Sequence, residues 1–375
     1  MMSCPGLIRP KPEKGVFYMK AVLKRELKNY LKNPILWVGI LIVFVGIYQS
    51  AGAYLKLHYI HSEEELEELE EPDVITDADI LNGYVPSDRS QQMELGYQEI
   101  ERLLESEEGF GYTKAQAEKI VSELRAKDMT IQEIDEYLEK EYCFYNATYI
   151  FEDFSQHKGM REEVNGYIEE KLKEHPFSWY FARKFADFCG LYTGFFSAVL
   201  LAFLYIRDTR RDTWELLHTK PITALSYVGG KVLGGLFAML IVLGVMNLIF
   251  GGLCMARGVK AGFPVRIWDL PAASVKYIVP NILVIVCIYT IIAFLFRNPL
   301  PAVPFIFLYM LYSNMGAPGA ASGYAGRAFA VMVRFPGNFF DAAEPPMAAG
   351  NQIFLLMLSA VLFALAVRIW KRRRV

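Results

Sequence analysis

The sequence predicts an all-α membrane protein with six transmembrane helices and a helix-rich extracytoplasmic domain inserted between helices 1 and 2. Three observations predict it. Uncharged, apolar stretches of 19 to 25 residues recur along the chain, each the length that a helix needs to cross about 30 Å of hydrocarbon. Of all residues, 53% are hydrophobic and 14% aromatic, which is high for a chain folded wholly in water. The charges are also segregated. Residues 56–187 hold 33 acidic and 14 basic side chains, and the remainder holds 8 acidic and 25 basic. Such asymmetry implies two environments.

Residues 1–33 are expected to form a cytoplasmic N-terminal segment. Met19-Lys20 reads as a natural start, which would make residues 1–18 an upstream extension. The first apolar run begins at Pro34, too late and too long for a cleavable leader. Within 17–33, Val22, Leu23, Leu27, Tyr30 and Leu31 recur at helical spacing, while Lys20, Lys24, Arg25, Lys28 and Lys32 lie largely off that face. This is a basic amphipathic helix suited to the inner membrane surface. Lipid anchoring and partner docking are both open to it.

Transmembrane helix 1 is placed at 34–55, helix 2 at 188–206, helix 3 at 232–256, helix 4 at 277–296, helix 5 at 300–314 and helix 6 at 351–368. Helices fit because their backbone bonds close within the segment. The fifth is short and holds Pro301 and Pro304. Residues 315–350 after it read as an extracytoplasmic loop, re-entrant in one reading. An N-terminus inside places 19 basic residues on the cytoplasmic side and 6 in the short outer loops, as positive-inside orientation requires. The basic tail 369–375 then faces the cytoplasm, and two inside termini require an even number of spans.

The acidic insert 56–187 is expected outside the cell membrane and helical. Thr113 with Gln116, and Thr130 with Glu133, have capping-box spacing. Ile120, Val121 and Leu124 share one helical face; Ile134, Tyr137 and Leu138 share another. The glutamate run 63–71 reads as a solvated helix or disordered stretch, with a cation-attracting surface as the sharper reading. Asn146-Ala147-Thr148 matches a glycosylation sequon. Of the five cysteines, Cys143 alone lies in the acidic stretch, while Cys189 and Cys254 fall near the outer ends of spans. A pairing of those two and simple apolar packing are both open.

Missing chemistry excludes several classes. The nearest fragment to a P-loop, Gly229-Gly230-Lys231-Val232, lacks the hydroxyl that holds Mg²⁺. The chain has no H-E-x-x-H, and His58, His61, His157, His175 and His218 all fall outside the expected spans. No catalytic, cofactor or metal site and no nucleic-acid surface is expected. The spans, bounded by their nearest charges, contain no ionisable residue, which argues against a proton-coupled antiporter or a voltage sensor. Energy for any transport would come from a soluble partner at the cytoplasmic face.

The connector 207–231 is the second docking candidate. Asp212 can cap a short helix with Glu215 three residues on, and Pro221 stops it. Trp214, Leu217 and His218 share one face. The connector resembles that of type-2 exporter permeases of the ATP-binding-cassette (ABC) class, in which an acidic residue and arginines precede G-T-x-E-x-L, P-[IV]-[ST] and a later G-K. Here stand Asp208, Arg210-Arg211, Asp212-Thr213-Trp214-Glu215-Leu216, Pro221-Ile222-Thr223 and Gly230-Lys231. Asp212 replaces the usual glycine and Asp208 the usual glutamate. Residues 19–34 resemble the family's opening helix, which ends in Asn-Pro. The large outer insert resembles the sodium-exporter and peptide-exporter branches.

The resemblance implies a non-catalytic permease subunit of an ATP-driven exporter in the cell membrane. It also implies a homodimer, or a heterodimer with a paralogous permease. A separate ATPase subunit would hold the ATP and Mg²⁺. It assigns coupling to Asp212, Thr213, Trp214, Glu215, Leu216, Leu217 and Pro221. Gly190-x-x-x-Gly194 and Gly230-x-x-x-Gly234 have the spacing of close helix approach, with no assignment to a dimer seam. The alternative is a non-transporting membrane sensor or immunity protein that binds a ligand with the outer domain.

Overall fold

The computed structural model describes residues 12–72, 78–106, 110–127, 129–206, 208, 209, 217, 222–315 and 326–372, with side chains from Tyr18 onward. It divides into two compact units, one spanning 57–174 and the other 1–56 together with 175–375. The second unit opens with α1 (Pro12–Leu31) and α2 (Pro34–Ala51). Asn33 separates them: its backbone is extended, and its side-chain oxygen accepts the Ile35 N–H at 3.1 Å. Pro34 follows at the first helical position, where it lacks only an N–H that a helix leaves unpaired anyway. One 3₁₀ stretch, Gly52–Lys56, extends α2.

The 57–174 unit contains α3 (Glu63–Glu67), β1 (Tyr84–Pro86), α4 (Arg89–Glu105), α5 (Lys114–Ala126), α6 (Ile131–Tyr142), α7 (Ala147–Asp153), β2 (Gln156–Lys158) and α8 (Arg161–Glu174). β1 and β2 pair antiparallel, with Val85 opposite His157. The two expected capping boxes start α5 and α6: Gln116 accepts the Thr113 N–H at 3.0 Å, and Glu133 the Thr130 N–H at 2.7 Å. Ile120, Val121 and Leu124 of α5 and Ile134 and Leu138 of α6 meet Ile100, Leu104 and Phe151 in one core. Tyr137 is only partly buried beside it. The glutamate run begins as α3, capped by Ser62, and Glu65 bridges the His58 ring (2.6 Å) and the His61 N–H (2.8 Å). Cys143 ends α6 in the left-handed region at φ 53°, and Asn146 of the sequon is exposed.

The chain continues with α9 (Phe177–Leu200), α10 (Phe203–Ile206), α11 (Ala224–Lys260), α12 (Asp269–Tyr277), α13 (Val279–Phe296), α14 (Ala302–Asn314) and α15 (Ala348–Arg372). Five stretches are long and apolar enough to cross a membrane: Pro34–Lys56, Phe177–Ile206, Ala224–Lys260, Asp269–Phe296 and Ala348–Arg372. α14 is apolar but has 13 residues, about 20 Å at 1.5 Å per residue. α9 lies inside the bundle against α2, α11, α12 and α14, while α13 packs on α15 and α1 lies along α11. α2 keeps Trp37, Val38, Leu41, Ile42 and Val45 exposed. Such a face costs too much in water and nothing in lipid.

These helices run through the charges that bounded the uncharged stretches. Arg183, Lys184 and Asp187 lie within α9, and Lys231 lies within the 37-residue α11. All four are buried. A charge-bounded window could not include them by construction. Cys189 and Cys254 are both buried and free, so apolar packing is their role.

Candidate functional site

Four segments converge where α1 meets α11. α1 turns Val22, Glu26 and Tyr30 inward, one residue per turn, and the facing surface of α11 is made of glycine. A Cβ at Gly230 would come within 2.7 Å of the Val22 Cβ and 3.0 Å of the Met19 carbonyl; one at Gly234 would come within 2.6 Å of the Glu26 Cβ. Gly230-x-x-x-Gly234 therefore seats α1. At the other glycine pair, a Cβ on Gly194 would collide with Met310 of α14, whereas Gly190 has room.

Close approach places Glu26 beside Lys231. The Lys231 Nζ lies 3.0 Å from Glu26 Oε1 and 2.5 Å from Asp208 Oδ2, and donates to the Leu204 carbonyl of α10 at 2.9 Å. The Tyr227 hydroxyl donates to Asp208 at 2.7 Å. Trp370 of α15 stacks on Tyr227, ring centres 4.0 Å apart. The Tyr205 hydroxyl donates to Thr290 of α13 at 3.1 Å. One ammonium thus ties α1, α10, α11 and the turn after α10. Glu26, Asp208 and Lys231 are each at most 5% exposed. Burial pushes the Glu26 carboxyl above its usual range, against the pull of Lys231. Buried ions of this kind persist only when paired and hydrogen-bonded, as these are.

The knot sits at both ends of the connector. Asp208 lies just after α10, and Lys231 lies in the second turn of α11, which Thr223 starts by accepting the Ser226 N–H. Of the sequence-assigned coupling residues, Leu217 is buried. Asp212, Thr213, Trp214, Glu215, Leu216 and Pro221 lie outside the described residues. Lys20, Lys24, Arg25 and Lys28 of α1, and Lys32 just past it, are all exposed, as the pattern requires, but so is Leu31, which was expected on the apolar face. Glu26 was the missed residue. An acid on the apolar stripe, at i+4 from Val22 and i−4 from Tyr30, was its legible signal.

A second polar cluster joins α9 to the segment 326–347. Asp187 accepts from Arg334 Nε and from the Phe335 N–H at 3.0 Å. Lys184 donates to the Phe335 carbonyl at 3.1 Å and to that of Gly337. Arg183 donates to the Ala343 carbonyl and lies between the Trp179 and Phe335 rings, 4.8 and 4.6 Å from their centres. Asn351 of α15 bonds both the Phe329 N–H and the Arg327 carbonyl at 2.8 Å. Ala330, Val331, Met332 and Val333 are buried, yet the segment has no regular secondary structure. Irregular backbone among membrane helices requires such side-chain partners. Among the described residues, no three His, Cys, Asp or Glu side chains gather as a metal site.

The apolar helices and the buried polar ties between them define a multi-pass membrane protein. Residues 20–332, α1 through the buried segment after α14, match the family model described as "ABC-2 family transporter protein", and the chain belongs to that family. Among curated proteins and among solved structures the chain has no match. The family makes the chain an ABC-2 type permease, a class that generally works with a separate ABC ATPase subunit.

Proposed function

We propose that the chain is the membrane half of an exporter, and that a separate ATPase subunit drives it through the connector between α10 and α11. The Lys231 knot carries this reading. Asp208 leaves one end of the connector and Lys231 enters at the other, so a force on the connector reaches α1, α10 and α11 together. Rigid packing turns such a push into a change between two helix arrangements rather than a local dent. ATP and Mg²⁺ would be bound by the partner, and this chain contributes no catalytic group.

In this reading both termini and the connector face the cytoplasm, the 57–174 unit faces outward, and α14 with the buried 326–347 segment completes the sixth pass. Two permeases, identical or paralogous, form the working dimer, as in the sodium-exporter and peptide-exporter branches. The spans favour an apolar or amphiphilic cargo, because their buried charges are consumed in internal ties.

The test is biochemical. The permease should co-purify with a P-loop ATPase. Glu215→Lys, which leaves the buried Leu217 in place, should lower permease-stimulated ATP hydrolysis at least tenfold, about 1.4 kcal/mol, with the permease's melting temperature unchanged. Unchanged hydrolysis removes the connector as the coupling element.

A further inference from the structure

A cavity of about 310 Å³ opens beside the knot, between α1 and α10. Arg25, Glu26, Asn29 and Tyr30 of α1 line it, with Lys32 and Asn33 just after the helix. Pro34, Phe203, Leu204 and Ile206 supply an apolar wall. Lys231 is already held by Glu26 and Asp208, so among the described residues Arg25 and Lys32 are the exposed cations of the lining. Two amides and two cations beside an apolar wall match a phosphate ester carrying an apolar tail.

We infer that this cavity binds the phosphate headgroup of an anionic membrane lipid, with Arg25 and Lys32 on the phosphate and the acyl chains along Phe203 and Ile206. The lipid wedges between α1 and α10 and so loads the helix that the knot ties to α11. The inference rests on the cytoplasmic placement of the N-terminus and connector proposed above, which puts α1 at the inner membrane surface, but not on ATP coupling.

Native mass spectrometry and thermal unfolding of the purified full chain in detergent test it, with phosphatidylglycerol, phosphatidylcholine and soluble glycerol phosphate as separate probes. Phosphatidylglycerol should be retained and should raise the melting temperature. Phosphatidylcholine and glycerol phosphate should do so at least about tenfold more weakly, since charge-assisted bonds and the apolar wall act together. Arg25→Gln with Lys32→Gln should weaken phosphatidylglycerol retention about tenfold. Equal retention of the two lipids, equal retention by the double variant, or a response to glycerol phosphate as strong as to lipid would each overturn the assignment. Because no readout involves the ATPase, a failure here is separate from a failure of connector coupling.

Discussion

Lys231 is the residue on which most of the internal organisation turns. It stands between two carboxylates, so its removal leaves Glu26 and Asp208 buried and facing each other. Breaking a buried pair in this way costs about 3–5 kcal/mol, and Lys231→Met should lower the melting temperature accordingly. Adding Asp208→Asn and Glu26→Gln to that variant should recover most of the loss, because a neutral trio has no ion to desolvate. A triple variant as unstable as the single one would assign Lys231 a packing role instead. At this scale the sequence was only partly legible. Lys20, Lys24, Arg25, Lys28 and Lys32 announced their exposure through periodicity, since a solvated face shows its own pattern. Glu26 showed only as an acid on the apolar stripe, and Lys231 only as the end of an uncharged run. Their meaning lies in each other, across some 200 residues, and hydropathy windows take a charge as an end.

At the scale of elements, α1 depends on the glycine track of α11. A methyl at Gly234 meets the Cβ of Glu26, which is fixed to the backbone, and one at Gly230 meets the Val22 Cβ and the Met19 carbonyl. Neither neighbour can swing aside. Gly230→Ala should therefore lift α1 from α11, and limited trypsin digestion should cut at Lys20, Lys24 and Arg25 several times faster than in wild type. Gly244→Ala, where no heavy atom lies within 4 Å, is the matched control and should leave digestion unchanged. The glycine spacing was visible in the sequence, but its partner was not. A small-residue stripe reports that something comes close without naming it. The capping boxes of α5 and α6 were fully legible, because each is closed by residues three positions apart.

Across the whole molecule, the two units respond to different conditions. The 57–174 unit holds several surface carboxylates below their ordinary range by hydrogen bonds. The His61 N–H and the His58 ring hold Glu65, Arg125 and Gln98 hold Glu94, and the Thr130 N–H and hydroxyl hold Glu133. A carboxyl whose folded pKa lies below its unfolded value stabilises the fold above that unfolded value, 4.5 for these glutamates. The stabilisation is lost as pH falls through the depressed folded pKa. Hydrogen exchange on the full chain should thus show α4, α5 and α6 losing protection as pH drops below about 4, before α9 and α13 do. Simultaneous loss in both units would contradict this. The inventory of apolar helices was readable from composition because each is written in one continuous run. The buried, irregular 326–347 segment was not, since its backbone is satisfied by Asp187, Lys184, Ser313 and Asn351, which lie far away in sequence.

The distance between Glu26 and Lys231 also bears on how the chain is made. α1 leaves the ribosome early, yet the glycine track and the ammonium that anchor it emerge about 200 residues later. At roughly 5–20 residues per second, that is a delay of about ten to forty seconds. Throughout it, an amphipathic helix carries an unpaired acid on its greasy side. Assembly is therefore ordered: α1 is locked only after α11 is made, and its docking reports that α11 has arrived.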